Sequence, residues 1–159
     1  MTNRDYTISF TVTQSPDVAF AAIGNVRGWW SQEISGGTEH VGDVFAYRYQ
    51  DLHRSRVAII EATPGKRIVW HVLDNYFSFT RDETEWKGTD IVFDIASKGD
   101  LTEITFTHRG LVPSYECFEA CSQGWRMYVE GSLRDLIMTG QGRPNIGEAM
   151  TESERILAA

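Results

Sequence analysis

From Tyr6 to Gln14 the apolar residues Ile8, Phe10 and Val12 alternate with Ser9, Thr11 and Thr13. A period of two is the signature of a strand with one buried face. Ser15-Pro16-Asp17 comes next. It offers a hydroxyl to cap a helix, a proline suited to the first helical position and a carboxylate for the positive end of the dipole. Val18, Phe20, Ala21 and Ile23 carry a short helix to Gly24, and a second helical turn is predicted over Val26–Trp30. Strand-like stretches then recur at Val44–Gln50, Ser55–Ala62, Arg67–Asp74, Asp90–Ser97 and Leu101–His108. They are punctuated by Gly36-Gly37, by the Pro64-Gly65 turn and by Lys98-Gly99-Asp100, a tight hairpin. The charged run Arg81, Asp82, Glu83 and Glu85 reads as a solvated loop.

The last long pattern has the helical period. It runs from about Ser114 to Thr139, with Gly140 as its C-cap and Pro144 barring renewal. Phe118, Cys121, Trp125, Tyr128, Ser132 and Leu136 follow three- and four-residue spacing and form one stripe. Gly124 and Gly131 are seven residues apart, about two turns of an α-helix, and so are expected on one side. A half-buried antiparallel sheet needs a cover, and only this helix is long enough. The predicted fold class is therefore α+β. A curved antiparallel sheet of six or seven strands wraps a long C-terminal helix, two short helices follow the first strand, and space remains between sheet and helix.

Composition narrows the function classes. A chain of 159 residues suggests one domain, with net charge −7 and no Lys/Arg cluster, which argues against a nucleic-acid partner. No apolar run approaches the roughly 20 residues that span a bilayer, and the N-terminus carries no signal-peptide stretch, so no membrane insertion and a cytoplasmic location are expected. Cys117 and Cys121 are then expected as reduced thiols. Five tryptophans are enough to dominate a core or a pocket. No nucleophile elbow, zinc-protease motif or phosphate loop is present, so no cofactor and no metal are expected and no catalytic motif is recognisable.

Four segments carry a resemblance: "SPDVAFAAI", "GWWSQEISGGTEHVGDVFAYRY", "WKGTDIVFDIASKGDLTEITFTHRGL" and "CSQGWRMYVEGSLRDLIMTGQGRP". Together they resemble the bacterial single-domain relatives of the activator of heat-shock protein 90 kDa ATPase, in the START-like, helix-grip (SRPBCC) superfamily. The likeness covers Tyr6 to Pro144, and its most specific part is Cys121–Pro144. It implies a domain over residues 1–145 and a C-terminal tail over 146–159. Members of the superfamily bind lipids, hormones or polyketides, and some catalyse ring closure or hydrolysis. The family name implies a chaperone partner. The eukaryotic activators carry an additional N-terminal domain for which this chain has no room. A homodimer is compatible with the sequence.

The first functional expectation is a cavity that takes a small hydrophobic or aromatic ligand, with a chaperone-interaction module or a cyclase or hydrolase as alternatives. The expected lining combines Trp29, Trp30, Tyr47, Tyr49, Trp70, Phe93, Phe106, His108, Cys121, Trp125, Tyr128 and Ser132. One of Trp29 and Trp30 is expected in the core and the other at the mouth. Trp70 and His71, adjacent on a strand, must face opposite sides, and the larger apolar area favours Trp70 inside. His108 ends the inward series Ile104, Phe106, where it either makes a hydrogen bond at the rim, touches a ligand or acts as a base. A cysteine pair spaced C-x₃-C on a helix with one remote histidine is a poor zinc site, and small buried thiols explain it better.

Overall fold

The computed structural model describes residues 5–145, so the expected tail at 146–159 lies outside the described residues. The chain opens with β1 (Tyr6–Val12), α1 (Pro16–Gly24), α2 (Val26–Trp29), β2 (Ile34–Gly36) and β3 (Val44–Tyr49). It continues with β4 (His53–Thr63), β5 (Arg67–Phe77), β6 (Asp90–Lys98) and β7 (Leu101–Arg109). The long helix is built of α3 (Phe118–Trp125), a π-helical segment (Arg126–Leu133) and α4 (Arg134–Thr139). Seven antiparallel strands form one sheet in the order β1-β7-β6-β5-β4-β3-β2. This is the expected helix-grip arrangement. Ser15 caps α1, accepting from the Val18 N–H at 3.3 Å, and Gly140 ends α4 in the left-handed conformation. No helix among the described residues is long and apolar enough to cross a membrane.

The sheet departs from plain alternation in one place. Between β4 and β5 the pairing shifts twice, at Arg56/Val57 and at Ile59/Glu61. Arg56 faces Asp74 but Val57 faces Val72, so Leu73 is an extra residue in β5. A bulge of this kind resets which side chains point inward. Trp70 and Val72 are buried before it, Asn75 and Phe77 after it, and β5 runs three residues beyond the predicted end at Asp74.

The charged run after β5 is exposed over Arg81, Asp82 and Glu83, as expected of a solvated loop, but not at its end. Glu85 and Trp86 are both buried. The Glu85 carboxylate accepts from the backbone N–H groups of Glu116 at 2.8 Å and Cys117 at 3.0 Å, at the entry to α3. In return, Glu116 accepts from the N–H groups of Asp82 at 3.0 Å and Arg81 at 3.2 Å, and those backbone donors hold its carboxyl below the usual range. The first N–H groups of a helix have no intrahelical acceptor, and a carboxylate there satisfies both bonding and dipole. Glu85→Ala is expected to lower unfolding free energy by about 1–2 kcal/mol, the usual value of such a cap. Urea unfolding would measure it, and an unchanged midpoint would show the clasp to be idle.

The end of the long helix is laced to α2. Ser132 Oγ donates to the Trp29 carbonyl at 2.7 Å and accepts from Arg143 N–H at 2.7 Å. Asn145 adds an N–H bond to the Trp30 carbonyl at 2.8 Å and an amide bond from Nδ2 to the Tyr128 hydroxyl at 3.0 Å. Gly142 makes this close return feasible, because a Cβ there would clash with the Gly28 carbonyl.

Candidate functional site

Between the β3–β5 end of the sheet and the first half of the long helix lies a partly enclosed hollow. Its volume is about 70 Å³ within the walls, and about 550 Å³ when the space out to its open mouth is counted. Alternation brings Tyr47 and Tyr49 inward from β3 and His53 from β4, and the bulge turns Phe77 inward on β5. Leu52 enters from the β3–β4 turn, and Phe79 and Trp86 from the loop after β5. Trp30 closes the side toward α2. The helix supplies Ala120, Cys121, Gly124, Trp125 and Tyr128. The walls are overwhelmingly apolar and aromatic.

The two adjacent tryptophans take different places. Trp30 is on the cavity wall, stacked on Tyr47 at 4.3 Å between ring centroids. Trp29 is fully buried behind it, stacked on Trp70 at 6.1 Å, with its Nε1–H on the Ile23 carbonyl. Trp70 faces the interior as expected, while His71 is half-buried and bonds Asp90 at 2.6 Å. Of the residues proposed from sequence, Trp30, Tyr47, Tyr49, Cys121, Trp125 and Tyr128 border the hollow. Trp29, Trp70, Phe93, Phe106, His108 and Ser132 are buried in packed surroundings away from it.

His108 lies in a closed relay of hydrogen bonds. Trp125 Nε1–H donates to its Nδ1 at 3.1 Å, which fixes the proton on Nε2. That Nε2–H donates to Thr89 Oγ1 at 2.8 Å, and Thr89 passes its own proton to the Trp86 carbonyl at 2.6 Å. Both ring nitrogens are occupied, and burial lowers the His108 pKa to about 3. An imidazole with no free nitrogen is a structural link and has no lone pair for a general base.

The imidazole that does reach the hollow is His53. It sits edge-on to Tyr47 at 4.8 Å and to Trp86 at 4.7 Å. One ring nitrogen, Nε2, shares a proton with Ser55 Oγ at 2.7 Å. Desolvation lowers its pKa, and a charge on nearby His108 would lower it further, so the ring is neutral. The sequence pattern starts β4 at Ser55, whereas the strand begins at His53; carrying the inward series Ser55, Val57 back two residues reaches it. Phe79 and Trp86 carry no periodic signal at all, since they lie in a loop.

On the helix, Gly124 and Gly131 do not share a side as α-helical spacing predicts. A Cβ on Gly124 would meet open space beside the cavity, whereas one on Gly131 would meet the Arg143 guanidinium at 3.0 Å. The π-helical segment between them turns less per residue, so seven residues no longer return to the same face. Cys117 and Cys121 are both buried free thiols, and burial pushes the Cys121 thiol well above its usual range.

The fold has counterparts among solved structures. No curated protein sequence matches the chain. The solution structure of the Aha1 dimer from Colwellia psychrerythraea is similar with a TM-score of 0.67 and 23% identity, over 89% of this chain and 100% of that one. Mll3558 from Rhizobium loti is similar at 0.62 and 20%, over 81% and 94%. CalU16 from Micromonospora echinospora is similar at 0.61 and 16%, over 86% and 77%. At these identities the structures speak for the fold alone. The family model for the Activator of Hsp90 ATPase homolog 1-like protein matches residues 18–137, from the first short helix to the last turns of the long one, and the chain belongs to that family.

Proposed function

We propose that this protein binds a small, neutral, largely aromatic ligand in the hollow between sheet and helix. The observation that carries this reading is the wall itself. Trp30, Tyr47, Phe77, Trp86 and Trp125 present rings around a space they do not fill. Concave, mostly apolar sites with a few polar groups are the usual form of small-molecule pockets. The enclosed part, about 70 Å³, is smaller than the roughly 150 Å³ cavity that holds one benzene, so a ring ligand must extend from it into the open mouth, where the space rises to about 550 Å³. A charged ligand would lose its hydration against these walls without a partner ion.

Thermal-shift and native mass-spectrometry measurements with one- and two-ring aromatic compounds test the proposal. Concentration-dependent stabilisation and a one-to-one bound species are expected. No binder up to millimolar concentration would remove it. Gly124→Leu supplies a second check, because the new side chain would grow into open space at the cavity. Replacing a helical glycine contributes about 0.5–1 kcal/mol. The variant is therefore expected to melt a few degrees higher and to lose the ligand-induced shift.

A second reading is a chaperone-interaction module. The family match and the likeness to the Colwellia Aha1 dimer support it, and the latter also supports a homodimer. Stimulation of a chaperone ATPase by the purified chain, with co-sedimentation to determine the oligomer, would test it. A cyclase or hydrolase needs an acid–base group at the ligand. His108 is committed to its relay, which leaves His53 as the imidazole at the wall.

A further inference from the structure

Trp86 is 2% exposed, and its Nε1–H has no strong acceptor among the described residues. The ring is held firmly on every side. It stacks on Trp125 at 5.5 Å and 11°, and meets His53, His108 and Phe77 edge-on at 4.7, 4.8 and 5.4 Å. Its backbone is pinned as well, with the N–H on Asn75 Oδ1 at 3.0 Å and the carbonyl accepting from Thr89. Two other indole donors of the cluster are used: Trp29 Nε1 bonds the Ile23 carbonyl and Trp125 Nε1 bonds His108. Trp86 alone of these three is left with a buried, rigid donor that has no strong acceptor, and Trp86 is a wall of the cavity. The Cys121 sulfur, on the same wall, is in weak hydrogen-bonding contact with this N–H, and thiol sulfur is too poor an acceptor to satisfy an indole donor.

Leaving a buried N–H unmet is costly, and such groups are rare in folded proteins. We infer that the Trp86 indole N–H is a recognition donor for a neutral carbonyl or ring-acceptor oxygen on the ligand. The inference rests on the ligand-binding reading above and deepens it, from an aromatic ligand to an aromatic ketone, lactone or similar acceptor-bearing ring. Two features favour a neutral acceptor over an anion. The surrounding rings offer no cation, and both nearby imidazoles are held neutral by burial.

Indane and 1-indanone test this as a matched pair, since they differ by one carbonyl. Titrations followed on the tryptophan indole N–H resonances of isotope-labelled wild-type protein are expected to move the Trp86 signal downfield with indanone and not with indane. In Trp86→Phe the affinity for indanone relative to indane is expected to fall about fivefold or more, the factor that a net hydrogen bond of about 1 kcal/mol corresponds to. Comparing the ratio of the two ligands cancels the greater hydrophobicity of indane and any general loosening of the variant. If Trp86→Phe does not fold, the resonance shift in the wild-type protein still decides. Binding of both compounds with no Trp86 shift and an unchanged ratio would overturn this inference and leave the cavity reading intact. Binding of neither would overturn the cavity reading and this inference with it.

Discussion

Trp125→Ala is expected to lower the unfolding free energy by about 4 kcal/mol, the middle of the range for truncating a buried tryptophan. For a domain of this size that is a fall in Tm of roughly 10–15 °C. Trp125 is the junction of the aromatic cluster. Its ring lies 4.9 Å from that of Trp30, 4.8 Å from Phe106 and 5.5 Å from Trp86. It is also the donor that closes the His108 relay, and without it a fully buried Nδ1 is left unpaired. Trp125→Phe separates the two contributions. It keeps part of the ring contact and removes the N–H together with some ring atoms, so a loss of at least the roughly 1–3 kcal/mol for orphaning a buried acceptor is expected, smaller than that of the alanine variant. Urea unfolding of both variants measures the split. If the phenylalanine variant were as stable as the wild type, the hydrogen bond to His108 would be worth nothing to the fold.

The second large effect is on pH. His108 is neutral in the fold with a pKa lowered to about 3, against an ordinary value of 6.5. A depressed pKa means that the unfolded chain binds the proton first, so stability is full above pH 6.5 and is lost as pH falls toward 3. Between pH 7.5 and pH 5 this one residue is expected to remove about 2 kcal/mol, at 1.36 kcal/mol per pH unit below 6.5. His53 acts in the same direction, because desolvation lowers its pKa too. Equilibrium unfolding at pH 7.5, 6 and 5 checks the slope. His108→Gln should be less stable at neutral pH and distinctly flatter below it. An equally steep variant would place the acid sensitivity elsewhere.

Sequence reading reached the fold because the relevant periods are local. Ile8-Phe10-Val12 and Ile104-Phe106-His108 each state which side of a strand is buried, and in the fold they pair across β1 and β7 as Ile8 with Phe106 and Phe10 with Ile104. The cavity was half visible for the same reason. Trp30, Tyr47, Tyr49, Cys121, Trp125 and Tyr128 lie in or beside periodic segments, and all reach its wall. The other half came from breaks in period. The extra residue at Leu73 reversed the phase of β5 and brought in Phe77. Glu85 and Trp86 look like part of a solvated run, and their burial depends on the helix start that Glu85 caps, about 30 residues further along the chain.

His108 shows the division most clearly. Alternation alone places it on the inward face. Whether it binds a ligand, donates to a rim or closes a relay depends on where Trp125 and Thr89 stand, and these are 17 and 19 residues away along the chain. What the chain determined by itself was the order of elements, their buried faces and an excess of aromatic side chains to pack between them, since these follow from neighbours a few residues apart. Tertiary structure decided which of those rings seal against one another and which leave a gap. It likewise decided which of the buried polar groups are paired and which, like the Trp86 indole, are left open. Hydrogen bonds and cavities are made between elements, and no local period encodes the distance between them.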